Sequence, residues 1–386
     1  MMIPVLHFER TELAARQDAT CRAMRAQGLD ALLLFRQESL FYLTGFDTFG
    51  YVYFQCIVLT ADGSMTLLTR APDLRQARHT SVIEDIRIWE DRAGSDPAGA
   101  LQAILAEKGL KGARVGIELE AYGLTGRNWE AVRTRLDGFC RLEDASDLVS
   151  RLRLVKSPAE IAYVRRAAEL ADRAYDRAVE LAAPGADEGT ILAAMQGAVF
   201  EGGGDYPGNE FIIGSGEGAL LCRYFTGRRK LDPKDQLTLE WAGVYRRYHA
   251  AMMRTVLVGK ASQRQRDMHA ACAEALEACE AALRPGRPIG EVFDAHARVL
   301  DGRGYRAHRL NACGYAMGTT FAPNWMDWPM FYTGNPEPAA PGMAFFLHMI
   351  LMDSDHGEAM TLGHSVLVTE SGTERLSRSS LELVVA

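Results

Sequence analysis

An order of elements that occurs twice constrains this chain more than any other feature. Ser157-Pro158-Ala159-Glu160 has the form of a capping box: the serine oxygen satisfies a free N–H, the glutamate reaches back, and proline takes the first helical position. The helix it starts carries Ile161, Val164, Ala168, Ala171 and Tyr175 on one face and stops at Pro184-Gly185. A second helix over 188–200 ends at Gly202-Gly203-Gly204-Asp205-Tyr206, and strand-like FIIG follows at 211–214. About a hundred residues later the order returns. Ser262-Gln263-Arg264-Gln265 is a second capping box, a long helix runs to Pro285-Gly286, and a shorter one over 289–300 ends at Gly302-Arg303-Gly304-Tyr305. The spacing predicts two helix pairs backing one curved antiparallel sheet, related by duplication. The alternative is two helix pairs with no such relation.

The stretch before the repeats reads as mixed α/β. A helical pattern covers 12–27, apolar runs of strand type cover 31–35, 55–60 and 65–69, a helix covers 97–108 and another strand covers 114–117. Ala61-Asp62-Gly63-Ser64 between two of the runs is a hairpin signal. Strands alternating with helices suggest a layered domain over 1–152, followed by the repeat domain over 153–386. A length of 386 residues accommodates both.

Composition excludes several classes of function. The formal charge of −7 gives a surface that does not attract phosphate backbones, so nucleic acid is not an expected partner. No apolar run is long enough to span a bilayer, and charge appears almost at once in MMIPVLHFER, so neither a membrane partner nor a secretory signal is expected. The seven cysteines are odd in number and form no CxxC pair, which fits reduced thiols in a cytoplasmic protein.

The segment 237–259, LTLEWAGVYRRYHAAMMRTVLVG, reads as two strands joined by a turn, and it resembles a signature of the creatinase, aminopeptidase P and methionine aminopeptidase superfamily, whose fold is called pita-bread. CGYAMG at 313–318, Pro341-Gly342-Met343-Ala344-Phe345-Phe346 and SVLVTESG at 365–372 match further motifs of that superfamily in order. YLTGF at 42–46 resembles its N-terminal domain. The resemblance implies a creatinase-type α/β domain followed by a pita-bread catalytic domain, and homodimerisation. Metal-dependent members hold two divalent cations with two Asp, one His and two Glu. Their positions fall here on Glu240, Ala251, Tyr315, His348 and Gly363. Alanine and glycine have no ligating side chain, so the resemblance implies no dinuclear metal site and no cofactor. A single ion held by Glu240, His348 and His364 is the alternative.

Metal-free members exist, of creatinase and ectoine-hydrolase type. Gly204-Asp205-Tyr206-Pro207, the run LEWAGVYRRYHAAMMRT at 239–255, and Gly314-Tyr315 followed by Pro323-Asn324-Trp325 resemble the ectoine-hydrolase type. Arg223, Met326-Asp327-Trp328, His348 and His364 depart from it. Glu240 lies in an apolar strand, where desolvation raises a carboxyl pKa and leaves the ionised form basic or nucleophilic; a solvent-facing side chain, or a pair with Arg246, Arg247 or Arg254, is the bland reading. His348, in the apolar run 344–352, offers an imidazole near neutral pKa for proton transfer, or else a satisfied core histidine. His249 is a further catalytic candidate with a structural alternative. Arg223 and Arg254 offer guanidinium forks for a substrate carboxylate. Tyr315, Trp325 and Trp328 can cage a cationic or zwitterionic solute, and His364 borders the same motifs. Tyr51 and Tyr53 follow a glycine-rich turn in a region that, in this superfamily, often reaches a neighbouring subunit's pocket. The expectation is a metal-independent hydrolase of a C–N bond in a small zwitterionic or amino-acid-like compound. An ectoine-like cyclic amidine comes first and a creatine-like guanidino acid second. A metal-dependent X-Pro peptidase or DMSP-type C–S lyase, and a non-catalytic binding module, are the alternatives.

Overall fold

The computed structural model describes residues 4–223 and 227–386, and the chain divides into two compact units, Met1–Arg153 and Leu154–Ala386. In the first unit a mixed sheet has the order β4-β3-β2-β1-β5-β6. Its strands are β1 (Ala31–Leu34), β2 (Cys56–Thr60), β3 (Met65–Arg70), β4 (Asp85–Trp89), β5 (Arg114–Ile117) and β6 (Arg141–Asp144). Strands β1, β2 and β3 pair antiparallel, and the outer pairs are parallel. Helices α1 (Arg10–Ala26), α2 (Gln37–Thr44), α3 (Asp73–Thr80), α4 (Pro97–Glu107), α5 (Gly126–Leu136) and α6 (Ser146–Leu152) accompany it. One cluster, with Met24, Leu32 and Ile57, and another, with Leu33, Val58 and Leu101, draw on alternate residues of the same strands. That is the mark of a sheet covered on both faces. The sequence pattern found α1, α4 and four strands. It passed over α2, whose eight residues are all buried, Gln37, Glu38, Ser39 and Thr44 included, so that its polar residues mark no solvent-facing side.

The second unit begins with α7 (Pro158–Leu181) and α8 (Glu188–Glu201), then β7 (Ile212–Ser215), β8 (Asp235–Tyr245) and β9 (Tyr248–Val258). It repeats with α9 (Gln263–Ala282), α10 (Gly290–Gly302), β10 (Gly314–Ala316), β11 (Asp327–Met330), β12 (Ala344–Asp353), β13 (Glu358–Thr369) and β14 (Gly372–Arg375). Both predicted capping boxes are present in full, at Ser157/Glu160 and Ser262/Gln265. The sheet order β11-β10-β12-β13-β9-β8-β7 is nearly palindromic: in each half a short strand precedes a long hairpin, and the second long strands meet at the centre. Duplication is therefore visible in the topology. The β8–β9 hairpin turns at Arg246 and Arg247, both with positive φ (49° and 68°). Such a two-residue turn favours Asn-Gly, and here contacts hold the arginines instead. The Arg246 guanidinium lies over the Tyr163 ring at 5.0 Å, and the Arg247 N–H donates to Asp205 at 3.1 Å.

One face of this sheet packs on the helices. Trp241 donates its indole N–H to the Ala171 carbonyl of α7 (2.9 Å), and Leu347, Met349 and Leu362 join the core with Met268, Cys272 and Leu276 of α9. Side chains alternate along a strand, so residues 240, 253, 363 and 348 point to the opposite face.

Candidate active site

Four residues lie in one row across the sheet. Glu240 of β8 pairs with Met253 of β9, Met253 with Gly363 of β13, and Gly363 with His348 of β12. Directly paired residues share a face, so Glu240 and His348 look across the same surface, about 14 Å apart at the backbone after three strand spacings. Gly363 puts no side chain between them. A Cβ there would come 2.6 Å from the Leu347 carbonyl oxygen and 3.0 and 3.1 Å from His348 Cα and Cβ, so the β12 backbone passes too close for a larger residue.

Tyr315 of β10 spans part of the gap. It pairs with Phe346, two residues from His348 and on the same face. Its ring lies 5.7 Å from the His348 ring and 5.5 Å from Phe346, and Phe346 is 5.3 Å from His348. Its hydroxyl donates towards Glu240 Oε1 at 3.4 Å and accepts the Trp325 indole N–H at 2.8 Å. Glu240 is buried, and burial pushes its carboxyl up to about 7, against the pull of the Arg223 charge and the Tyr315 hydroxyl. The arginine pairs weighed from sequence do not form. Arg254 faces the other way, and Arg246 donates to the Tyr163 hydroxyl at 2.7 Å. Burial also pushes the Tyr315 phenol well above its usual range, so it remains a donor.

His348 sits at the site but differs from the neutral-pKa imidazole expected. Burial, then the nearby His296 and Arg223, push it down to about 3. The ring is neutral at any working pH, and Nδ1 has no hydrogen-bond partner among the described residues. Arg223 is exposed and acts on Glu240 through its charge. Phe346 and Cys222, whose thiol Glu240 pushes up further after burial, were not singled out from sequence. Only strand register reveals Phe346, as the residue facing Tyr315.

Other expected residues lie elsewhere. His364 and Arg254 are on the helix side of the sheet. His364 is hydrogen-bonded to Glu280 of α9 (2.6 Å), and the Arg254 guanidinium donates to the carbonyls of Met253 (2.9 Å) and Gly363 and lies 5.7 Å from the Tyr175 ring of α7. They are off the site because each is one residue out of phase with it. A single-ion site from Glu240, His348 and His364 is ruled out by the same alternation. His249 shares the site face but lies four residues along β9 from Met253. Its Nε2 accepts the Gly208 N–H (2.8 Å), its Nδ1 lies 3.0 Å from the Arg247 carbonyl, and burial pushes it down to about 4. Trp325 is spent on Tyr315. Trp328 is half-buried and packs against the core that α9 shares with the sheet. Tyr51 and Tyr53 belong to the first unit: Tyr51 is buried with its ring 6.0 Å from Phe49, and Tyr53 lies under the Arg70 guanidinium at 3.8 Å.

Residues 16–155 match the creatinase/prolidase N-terminal domain and residues 162–370 match metallopeptidase family M24. The chain belongs to family M24. An uncharacterized hydrolase/peptidase of Sinorhizobium fredii is 30% identical over 393 residues, covering 99% of each chain. Ectoine hydrolase of Halomonas elongata is 28% identical over 397 residues, covering 98% of each. Among solved structures, the dipeptidase PepE of Mycobacterium ulcerans superposes with a TM-score of 0.85 at 25% identity, covering 98% of this chain and 99% of that one. The creatinase-type domain, the pita-bread fold and membership of a hydrolase family are thus established. M24 implies metal, and the residues here do not fit it. At the five positions that the motif resemblance assigns to the ligands stand Glu240, Ala251, Tyr315, His348 and Gly363, and no group of three His, Cys, Asp or Glu among the described residues is arranged to hold an ion. Among those residues, too, no helix is long and apolar enough to cross a membrane.

Proposed function

We propose that this M24 member hydrolyses a C–N bond in a small zwitterionic or amino-acid-like compound, an ectoine-like cyclic amidine before a creatine-like guanidino acid, without a bound metal ion. The observation that carries the reading is Glu240: a buried carboxyl, poised near neutrality, without a cationic hydrogen-bond partner among the described residues. In one route the ionised carboxylate takes a proton from water as the water oxygen bonds to the amidine carbon; the C–N bond then breaks, and the carboxyl hands that proton to the departing nitrogen. In the other the carboxylate oxygen itself bonds to that carbon, the C–N bond breaks as solvent water protonates the departing nitrogen, and the hydroxide so formed cleaves the resulting ester and frees the carboxylate. Tyr315 holds the carboxylate, and the neutral His348 serves as a hydrogen-bonding group for substrate rather than a proton carrier. Arg223 draws in an anionic substrate group. The ectoine hydrolase relative supports the bond type. The reading includes a cytoplasmic homodimer acting on a small molecule, with neither nucleic acid nor membrane as partner. Seven free cysteines are in keeping with a reducing compartment.

A metal-dependent X-Pro dipeptidase is the second reading, favoured by relatives such as the Xaa-Pro dipeptidase of Pyrococcus furiosus, 24% identical over 238 residues. Turnover of ectoine, creatine and Gly-Pro by the purified protein, with and without chelator, separates the two. Amidine or guanidino hydrolysis that survives chelation and is lost in Glu240→Gln supports the proposal. Stoichiometric Fe, Mn or Zn with chelator-sensitive Gly-Pro cleavage overturns it. A ligand that raises the melting temperature and returns unchanged would assign the chain to binding alone.

A further inference from the structure

Trp325 is a buried donor with one acceptor among the described residues, the Tyr315 oxygen at 2.8 Å. A phenol oxygen has one proton to give and two lone pairs to receive, whereas an indole N–H can only donate. With the indole on one lone pair, the phenol proton cannot point back at Trp325. The acceptor within reach is Glu240 Oε1 at 3.4 Å. Glu240 Oε2 has no hydrogen-bond partner among the described residues, so the two carboxylate oxygens are unequal.

We propose that Trp325 is a positioning residue: its N–H turns the Tyr315 proton onto Oε1 of Glu240 and leaves Oε2 as the oxygen that meets water or substrate. The inference rests on the reading that Glu240 is the reacting carboxylate. The indole is itself held. Asn324 Oδ1 accepts the Met326 N–H at 3.0 Å, closing a turn around Trp325. Gly208 lies so close to this turn that a Cβ on it would come 2.7 Å from the Asn324 carbonyl oxygen. The Gly208 N–H is in turn gripped by His249 Nε2. A continuous path thus runs from His249 through Gly208 and the 324–326 turn to Tyr315 and Glu240, and it gives the buried, neutral His249 a purpose that proton transfer does not.

The test uses the full chain labelled with 15N at tryptophan. The indole resonance lost in Trp325→Phe identifies Trp325. Hydrogen bonds in a chain polarise one another, so an ionised Glu240 accepting from Tyr315 makes the phenol oxygen a better acceptor for the indole. The Trp325 indole proton is expected to move upfield in Tyr315→Phe and, by less, in Glu240→Gln at pH 8. An indole resonance unmoved by Glu240→Gln overturns the proposal, because a merely structural Trp325–Tyr315 bond would be indifferent to residue 240. In the kinetic arm, benzothienylalanine at 325 keeps the ring shape and removes the N–H. With ectoine or creatine as probe, kcat is expected to fall about five- to tenfold with KM unchanged, the scale of one neutral hydrogen bond. Unchanged kcat in that variant, while Glu240→Gln is inactive, overturns the positioning role alone. Full activity in Glu240→Gln overturns the underlying functional reading and leaves the resonance result standing.

Discussion

In the first repeat the row position on the leading long strand is Glu240, with Met253 beside it on the second strand; in the second repeat the same two positions are His348 and Gly363. The backbone frame is alike and both titratable groups are buried, yet their pKa values move in opposite directions, the carboxyl up to about 7 and the imidazole down to about 3. One cause explains both. Desolvation penalises whichever form is charged, so it raises an acid and lowers a base. The face therefore favours two neutral groups. Only Glu240 remains near a pKa at which it can gain and lose a proton in ordinary buffer. The second pair of positions differs in volume: Met253 carries a fully buried side chain, whereas Gly363 carries none and lets the β12 backbone at His348 approach closely. The repeat supplied a symmetric frame, and side-chain choice gave one half a carboxyl that titrates near neutrality and the other half an imidazole held neutral.

The sharpest way to break this comparison is to remove the group proposed to react. Glu240→Gln is expected to lower kcat by about a thousandfold, the scale of a lost general base or nucleophile. In the unaltered protein kcat/KM should rise with pH, with its midpoint near 7, because the proposed reaction uses the ionised carboxylate. No second inflection from His348 should appear above pH 5, since that imidazole has already lost its proton. A limb near 6.5 that disappears in His348→Gln would show instead that the two halves share the proton chemistry. The replacement His348→Gln keeps a neutral hydrogen-bonding group in the cradle and should cost about tenfold, mostly in KM. A loss as large as that of Glu240→Gln would make the imidazole an equal partner.

The same asymmetry should be legible in stability. A carboxyl whose folded pKa is about 7, against 4.5 unfolded, binds more protons folded than unfolded between those values. Stability is then lost as pH rises from 4.5 towards 7, by at most about 3 kcal/mol. Glu240→Gln removes this dependence. The variant should match the parent near pH 4 and melt several degrees higher at pH 8, as read by parallel thermal melts. Equal melting temperatures at both pH values would mean that Glu240 is hydrated when ionised.

How much of this was legible in the sequence depends on which spacing carries it. Capping boxes are local, so both were readable, as were the helix pairs they open and the duplication they mark. Glu240 was readable because a lone acid in an apolar strand conflicts with its surroundings. The face on which a residue sits depends on strand register, and that is fixed by pairing with segments about a hundred residues away. His364 stands next to the row position Gly363, and Arg254 next to Met253, so motif proximity suggested a site that alternation denies them. Trp328 and Trp325 are three residues apart in one aromatic-rich loop, yet one packs against the α9 core and the other bonds Tyr315. The downward shift of His348 was unreadable because it needs the burial of the folded sheet, including His296 from α10.

The smallest expected effect on chemistry comes from the far side of the sheet. His364 donates to Glu280 at 2.6 Å, and Arg375 completes the group at 2.7 Å from the same carboxylate. Burial pushes the imidazole down despite the carboxylate beside it, so the ring is a neutral donor. For Glu280, burial alone would raise the carboxyl, but the His364 and Arg375 hydrogen bonds outweigh it and hold it below the usual range. The group ties β13 to α9 and β14, a structural duty on the reverse of the surface that bears His348. His364→Gln keeps a donor of similar size, so kcat and KM should stay within about twofold, while stability falls by about 1 kcal/mol, the scale of one weakened buried hydrogen bond. Denaturant unfolding and initial-rate kinetics on the same preparation measure both. A tenfold fall in kcat at unchanged stability would mean that His364 reaches substrate, and the division of the sheet into a helix face and a reacting face would be wrong at its centre.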